Sequence, residues 1–284
     1  KGKEENSTYS EPVAKIEQTL NKDENKNYEV MVLESKRIAL ISDDAGDITV
    51  SIYDQDLRKA ASIKLKGPGK GFGMNKKISS GDKIYFLFTD NKNNRANVGS
   101  GRLGFKKFVV VQVDLNTKKQ VTVDGVFEKL FTMESMTESD GRIVLAGTHT
   151  YKNSTQMFRL CLTAGLCYIP YFFGSLDFPT WIDMAVLDFG KKKCNIETLD
   201  FGEKPKISLV ASNFSGEKNG SIIVRNKVKK RKYQTNLYPV SIGSSVKMND
   251  PVMLDPGAEK NIWNCKVNYN NEQNRVVIGT YSQL

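Results

Sequence analysis

His149 is the one histidine in this chain and so its one side chain suited to proton transfer near neutral pH. It stands in Gly147-Thr148-His149-Thr150, just after an apolar run, where a strand would end. No GxSxG elbow occurs and no Ser or Cys motif lies beside it, so the residue types of a nucleophilic triad are not assembled in the sequence. A histidine with a satisfied structural role is the expectation. Acids offer a second route to chemistry. Asp54, Asp114 and Asp188 each close an alternating apolar run and precede a turn carrying Lys or Arg. Asp suits such turns because its carboxylate bonds the local backbone, so the three read as turn formers. A hydrolase using two acids that meet from distant parts of the chain is the competing reading.

Metal and cofactor chemistry finds little to work with. Cys161, Cys167, Cys194 and Cys265 make no CxxC pair, and with a single histidine no zinc site is expected. Cys161 and Cys167 are close enough in sequence to close a small loop, while free buried thiols fit the same residues, so the redox compartment stays open. The acidic turn Ser42-Asp43-Asp44-Ala45-Gly46-Asp47 has oxygen ligands but not the spacing or distal Glu of an EF-hand. Gly67-Pro68-Gly69-Lys70-Gly71-Phe72-Gly73 lacks the Ser or Thr after Lys and the following helix of a phosphate-binding loop. No cofactor and no metal are expected.

Two segments point to binding. Arg225 to Tyr233 is the densest basic run, and Lys229, Lys230, Arg231 and Lys232 are its anion-binding candidates. A solvated strand edge or loop accounts for the same residues, because Lys and Arg discourage edge pairing. Nucleic acid is not expected, since an RNA-binding sheet needs several aromatic residues on one face and this run has only Tyr233. An anionic glycan or lipid headgroup is compatible with 42 Lys and Arg against 32 Asp and Glu, a formal charge of +10, which also serves plain solubility. The second segment, Met157 to Phe178, is far more apolar than the other loops. Arg159, Pro170 and Gly174 break it up, so it is not read as a transmembrane span. Two extra buried strands would explain it. A docking insertion for a protein partner would too, with Tyr171, Phe172, Phe173 and Trp181 as anchors, because aromatic residues dominate interface energetics.

The elements that must carry these residues are strands. A polar turn, a Lys or Arg and an apolar run recur at Lys36-Arg37-Ile38, Asp82-Lys83-Ile84, Gly141-Arg142-Ile143 and Asn274-Arg275-Val276, with a looser copy at Pro205-Lys206-Ile207. Between them a strand–turn–strand recurs. It runs from Ile48 to Asp54 and on to Ser62–Leu65, from Val111 to Asp114 and on to Val121–Val123, and from Ala185 to Asp188 and on to Ile196–Leu199. The unit is roughly 45 to 70 residues, near the size of a four-stranded propeller blade. One such sheet cannot bury both faces, so neighbours must stack. No long amphipathic helix separates the strands, which argues against a parallel α/β sheet. The expected fold is all-β, a β-propeller or propeller-like array of antiparallel four-stranded repeats over residues 28–284. A polar N-terminal arm covers residues 1–27. Either the N-terminal strand completes the last unit or the chain is a fragment of a longer array.

On these runs the chain resembles β-propeller repeat proteins, without a WD dipeptide, kelch glycine pair or Asp-box. The stretches Asp140–Gly147 and Asn274–Tyr281 are also similar to repeats in large cell-envelope proteins of Bacteroidota. That resemblance implies a non-enzymatic scaffold that binds protein partners through loops, in the cell envelope or secreted. It carries over no catalytic residue. The alternative is a carbohydrate-active hydrolase with acids at a central mouth.

Overall fold

A computed structural model describes residues 26–44, 46–90, 95–96, 103–150, 179–203, 205–214, 219–229, 232–243, 245–254, 264–270 and 275–281. Every element among them is a strand and every pairing given is antiparallel, in accord with the sequence pattern. The first sheet is a four-stranded meander of β1 (Lys26–Val32), β2 (Ile38–Asp44), β3 (Asp47–Tyr53) and β4 (Lys59–Lys64). The second contains β5 (Phe72–Ser80), β6 (Lys83–Asp90), β7 (Arg95–Ala96), β8 (Leu103–Asp114), β9 (Gln120–Ser139), β10 (Arg142–Thr150), β11 (Thr180–Asp188) and β12 (Lys193–Thr198). Its order is β12-β11-β10-β9-β8-β6-β5, with β7 on β8. The third holds β13 (Ile207–Asn213), β14 (Asn219–Lys229), β15 (Lys232–Ile242), β16 (Val246–Met248) and β17 (Val252–Leu254). The last pairs β18 (Asn264–Asn270) with β19 (Arg275–Tyr281).

The apolar runs that follow Arg37, Lys83, Arg142 and Arg275 are β2, β6, β10 and β19. Strand β2 follows β1 in the first sheet, and β6 follows β5 and β10 follows β9 in the second, so each run is preceded by an antiparallel strand of its own sheet and is not the opener expected. The Pro205-Lys206-Ile207 run does open its sheet, as β13, and so is not a copy of the others. The strand–turn–strand motif holds in register. In all three copies the Asp side chain accepts from its own turn. Asp54 Oδ1 takes the N–H groups of Asp56 and Arg58 at 3.0 and 2.8 Å. Asp114 Oδ1 takes those of Asn116 and Thr117 at 3.0 and 2.8 Å, and Asp188 Oδ1 that of Lys191 at 3.0 Å. Leu57, Lys118 and Lys192 then turn the chain through left-handed φ of 62°, 58° and 51°. The three carboxylates are therefore turn formers, as their sequence context implies.

The chain divides into two compact units. One contains the described part of Lys1–Gly67 with Ser79–Ile84 and Val113–Gln120. Its core alternates along each strand: Ile41, Val50 and Ile63 lie in register across β2, β3 and β4 and are buried. The tips of the β5–β6 and β8–β9 hairpins belong to this unit, where Arg37 Nη2 meets Asp82 Oδ1 at 2.5 Å and Asn116 Oδ1 at 2.8 Å. Hydrogen bonds from Ser35, Arg37 and Asn116, in that order, hold the Asp82 carboxyl down at about 2.

The other unit contains the rest, and its second sheet is apolar on both faces. Ile143, Leu145, Ala185 and Leu187 face one core, with Phe105, Phe108, Phe127 and Phe131. Val144, Ala146, Ile182, Met184 and Val186 face another, against Leu209, Ile222, Val224 and Val240 of the third sheet. This is why β10 and β11 read as continuous apolar runs and not as alternating ones. Strand β9 bends between the two halves of the sheet. Pairing with β10 skips Glu134 between Met133↔Gly147 and Ser135↔Ala146, a bulge that reverses which face the later residues serve. A Cβ on Gly125 of β9 would lie 3.0 Å from Cys194 Sγ on β12, so the sheet curls back on itself across the phenylalanines.

Candidate functional site

The polar cluster of this unit forms where β10, β11 and β12 come to the end of the phenylalanine-lined face. Residues 143, 145, 147 and 149 of β10 share that face, as do 181, 183, 185 and 187 of β11, because strand side chains alternate. Register sets His149 opposite Trp181 and Gly147 opposite Asp183. Asp183 is in turn opposite Thr198 of β12. The apolar row therefore ends in a histidine, a tryptophan, an acid and a threonine.

Their contacts are specific. His149 Nδ1 lies 2.5 Å from Asp183 Oδ2, and Thr198 Oγ1 donates to Asp183 Oδ1 at 2.6 Å. A carboxylate accepts, so the imidazole donates from Nδ1–H. The His149 ring stacks on the Trp181 indole with centroids 5.2 Å apart and planes 12° from parallel. Asp183 is buried at 6% side-chain exposure and His149 at 13%, while Trp181 is half-buried. A buried acid costs free energy unless it is paired and hydrogen-bonded, and both oxygens of Asp183 have partners.

Gly147 makes room for this arrangement. A Cβ there would stand 2.2 Å from the Thr132 carbonyl oxygen and 2.6 Å from the Phe131 ring. Phe131 itself stacks on Phe127 at 3.9 Å, so the ring is backed by another. The glycine, the bulge at Glu134 and the stacked phenylalanines together fix the path of β10 just before His149.

Chemically, the cluster can orient an imidazole and present a rigid indole. It can hold or pass a proton at His149, but no Ser or Cys accompanies the pair in the contacts described. Among the described residues no group of three His, Cys, Asp or Glu is disposed to hold a metal ion. In the acidic turn, Asp43 Oδ1 accepts from the Gly46 N–H at 2.9 Å, as a turn former does. Cys194 is a free thiol against the phenylalanine core, and burial, aided by Asp124, pushes it up to about 12. Among the described residues no helix is long and apolar enough to cross a membrane.

Of the aromatic anchors read from the sequence, Trp181 falls in this cluster. Tyr171, Phe172 and Phe173 lie outside the described residues. Lys229 is the last residue of β14 and Lys232 the first of β15, and the two are paired in register, whereas Lys230 and Arg231 lie outside the described residues. Strands β14 and β15 lie inside their sheet, but the pairs Lys227↔Tyr233 and Lys229↔Lys232 fall beyond the residues that β13 and β17 pair with. Sequence reasoning missed Asp183 and Thr198. The signal for Asp183 was present: one acid inside the apolar run Trp181-Ile182-Asp183-Met184-Ala185-Val186-Leu187 requires a buried partner.

The chain is thus an all-β protein of antiparallel meanders with a polar aromatic cluster at the strand ends of its larger unit. No family model and no curated protein matches it. Among solved structures it is similar to Drosophila Semaphorin 1a, extracellular domains 1-2, at 8% identity and a TM-score of 0.31, over 93% of this chain and 74% of that one. It is also similar to Drosophila Plexin A in complex with Semaphorin 1b, at 6% identity and a TM-score of 0.30, over 90% and 72%. Likenesses at this level carry no functional reading.

Proposed function

We propose that the chain is a non-enzymatic interaction module, a propeller-like scaffold that binds a protein partner through the loops beside His149 and Trp181. The observation that supports this reading is the stack of Trp181 on His149, braced by Asp183 and Thr198. A partly exposed tryptophan held in one orientation loses little further entropy on binding, which is what an interface anchor requires. The two strands that carry the pair bracket residues 151–179, and Tyr171, Phe172 and Phe173 belong to that connection in sequence. An assembly at the cell envelope or outside the cell is the setting this reading favours.

Affinity capture of the intact chain against Trp181→Ala and against deletion of 157–178 tests it. Loss of the same captured protein in both variants, with the melting temperature of Trp181→Ala within a few degrees of the parent, supports the module. Undiminished capture by both overturns it. Turnover of a glycan panel that Asp183→Asn abolishes would replace it with an enzyme.

A further inference from the structure

We infer that β1 is an interface between two copies of this chain, joined antiparallel about a twofold axis at Val30. Strand β1 is an edge: it pairs with β2 without a register shift, and among the described residues it has no second neighbour. The hairpin that follows settles which backbone groups face outward. The Leu33 N–H donates to the Arg37 carbonyl at 2.9 Å, so position 33 bonds across to the β2 side. Hydrogen-bonded and non-hydrogen-bonded pairs alternate along an antiparallel ladder. Met31 and Glu29 therefore bond to β2 as well, and the N–H and C=O groups of Tyr28, Val30 and Val32 point to the open edge.

The opposite edge of the same sheet is closed. On β4 the Lys64 carbonyl accepts from Gln120 Nε2 at 2.8 Å, and the Lys66 N–H donates to Gln120 Oε1 at 2.9 Å. Exposed Lys59 and Lys64, and a register shift beside Tyr53, blunt it further. Strand β1 has no bulge and no such cap in the bonds described. The side chains of its outward positions are Val30 and Val32, 61% and 72% exposed, and half-buried Tyr28. Half-buried Leu40 and Ile38 lie opposite the two valines on β2 and extend the apolar stripe.

The sequence of β1 complements itself. An axis at Val30 sets Val30 opposite Val30 and Tyr28 opposite Val32, and aromatic and β-branched side chains opposite one another favour strand pairing. It also sets Glu29 opposite Met31, whereas an axis one residue earlier would set Glu29 against Glu29. Residues 26–67 carry as many acids as bases, so the net charge of +10 lies outside this sheet and does not oppose the approach of two such edges. Edge pairing alone buries less than a standard interface, so association is concentration-dependent.

Sedimentation equilibrium of the full chain is the test. The average mass should climb with concentration from 31.9 kDa toward twice that value. Val30→Lys sets two lysines against each other on the axis and should weaken association at least about tenfold, with a thermal melt showing that the variant folds. Residues opposite one another in a hydrogen-bonded pair have Cα atoms about 5.5 Å apart, within disulfide reach. Oxidised Val30→Cys should therefore link two chains. Val32→Cys faces Tyr28 and lies about 13 Å along the strand from its own mate, so it should link no more than the parent does. A monomer at the highest concentration reached, a folded Val30→Lys that associates undiminished, or equal linking of the two cysteine variants overturns the inference. So does capture of a different protein that Val30→Lys abolishes while the chain itself stays monomeric.

Discussion

Adding one methyl group at Gly147 should destabilise the larger unit by an amount that can be worked from its surroundings. The Cβ of Gly147→Ala would stand 2.2 Å from the Thr132 carbonyl oxygen and 2.6 and 2.7 Å from two carbons of the Phe131 ring. The first gap is more than about 1 Å inside ordinary contact distance. The oxygen belongs to the backbone of β9 and cannot swing aside, and the ring is backed by Phe127 at 3.9 Å. Overpacking typically costs 1–3 kcal/mol, and a backbone obstacle with a braced ring places this site at the upper end, about 3 kcal/mol. That corresponds to a fall of roughly 6–10 °C in melting temperature by calorimetry. Gly67→Ala is the control, because a Cβ there meets nothing within 4 Å and its φ is not left-handed. If Gly147→Ala melts with Gly67→Ala, the close packing of β9 on β10 is wrong, and with it the placement of His149.

Other substitutions probe the remaining parts. Phe105 makes edge contacts with Phe108, Phe127 and Phe131 at centroid distances of 6.1, 6.1 and 5.4 Å, so Phe105→Ala should cost about 3–5 kcal/mol in urea unfolding. A loss under about 1 kcal/mol would contradict a common aromatic core. Asp82 is held at about 2 from an ordinary 3.8, so its contribution to stability is complete above pH 3.8 and is lost as pH falls toward 2. The side chain is 30% exposed, and solvent screening leaves about 1 kcal/mol of the linkage. Asp82→Asn should therefore lower stability at pH 6 and lose less than the parent between pH 4 and pH 2; parallel acid profiles would refute the pairing. Cys194 should alkylate at least about a hundredfold more slowly in the folded chain than in urea at pH 8, read by peptide mass mapping, because its thiolate is suppressed. Equal rates would mean the thiol is not packed on the phenylalanines.

What the sequence reveals of this fold depends on where local pattern and packing agree. The turns after Asp54, Asp114 and Asp188 are readable because the residue that makes the turn also makes its hydrogen bonds. Strands β10 and β11 are readable because both faces are buried along the apolar stretches Ile143–Ala146 and Met184–Leu187. Strand β9 is not, because it serves two halves of a sheet and the bulge at Glu134 shifts its alternation in midstream. Strands β14 and β15 are hidden by the basic run that ends the first and starts the second. His149 was identifiable as structurally engaged but not its partner, since Asp183 is 34 residues away and joined to it only by strand pairing. The aromatic segment before Trp181 falls outside the described residues, so only that one anchor is placed.

The stacked pair at the strand ends is directly measurable, because the chain has one histidine and its imidazole protons identify themselves in a proton spectrum. Nuclear Overhauser contacts from those protons should lead to the Trp181 indole, with upfield ring-current shifts that Trp181→Phe reduces. Contacts to Trp263 alone, or to neither tryptophan, would contradict the site and the β10–β11 register on which it rests.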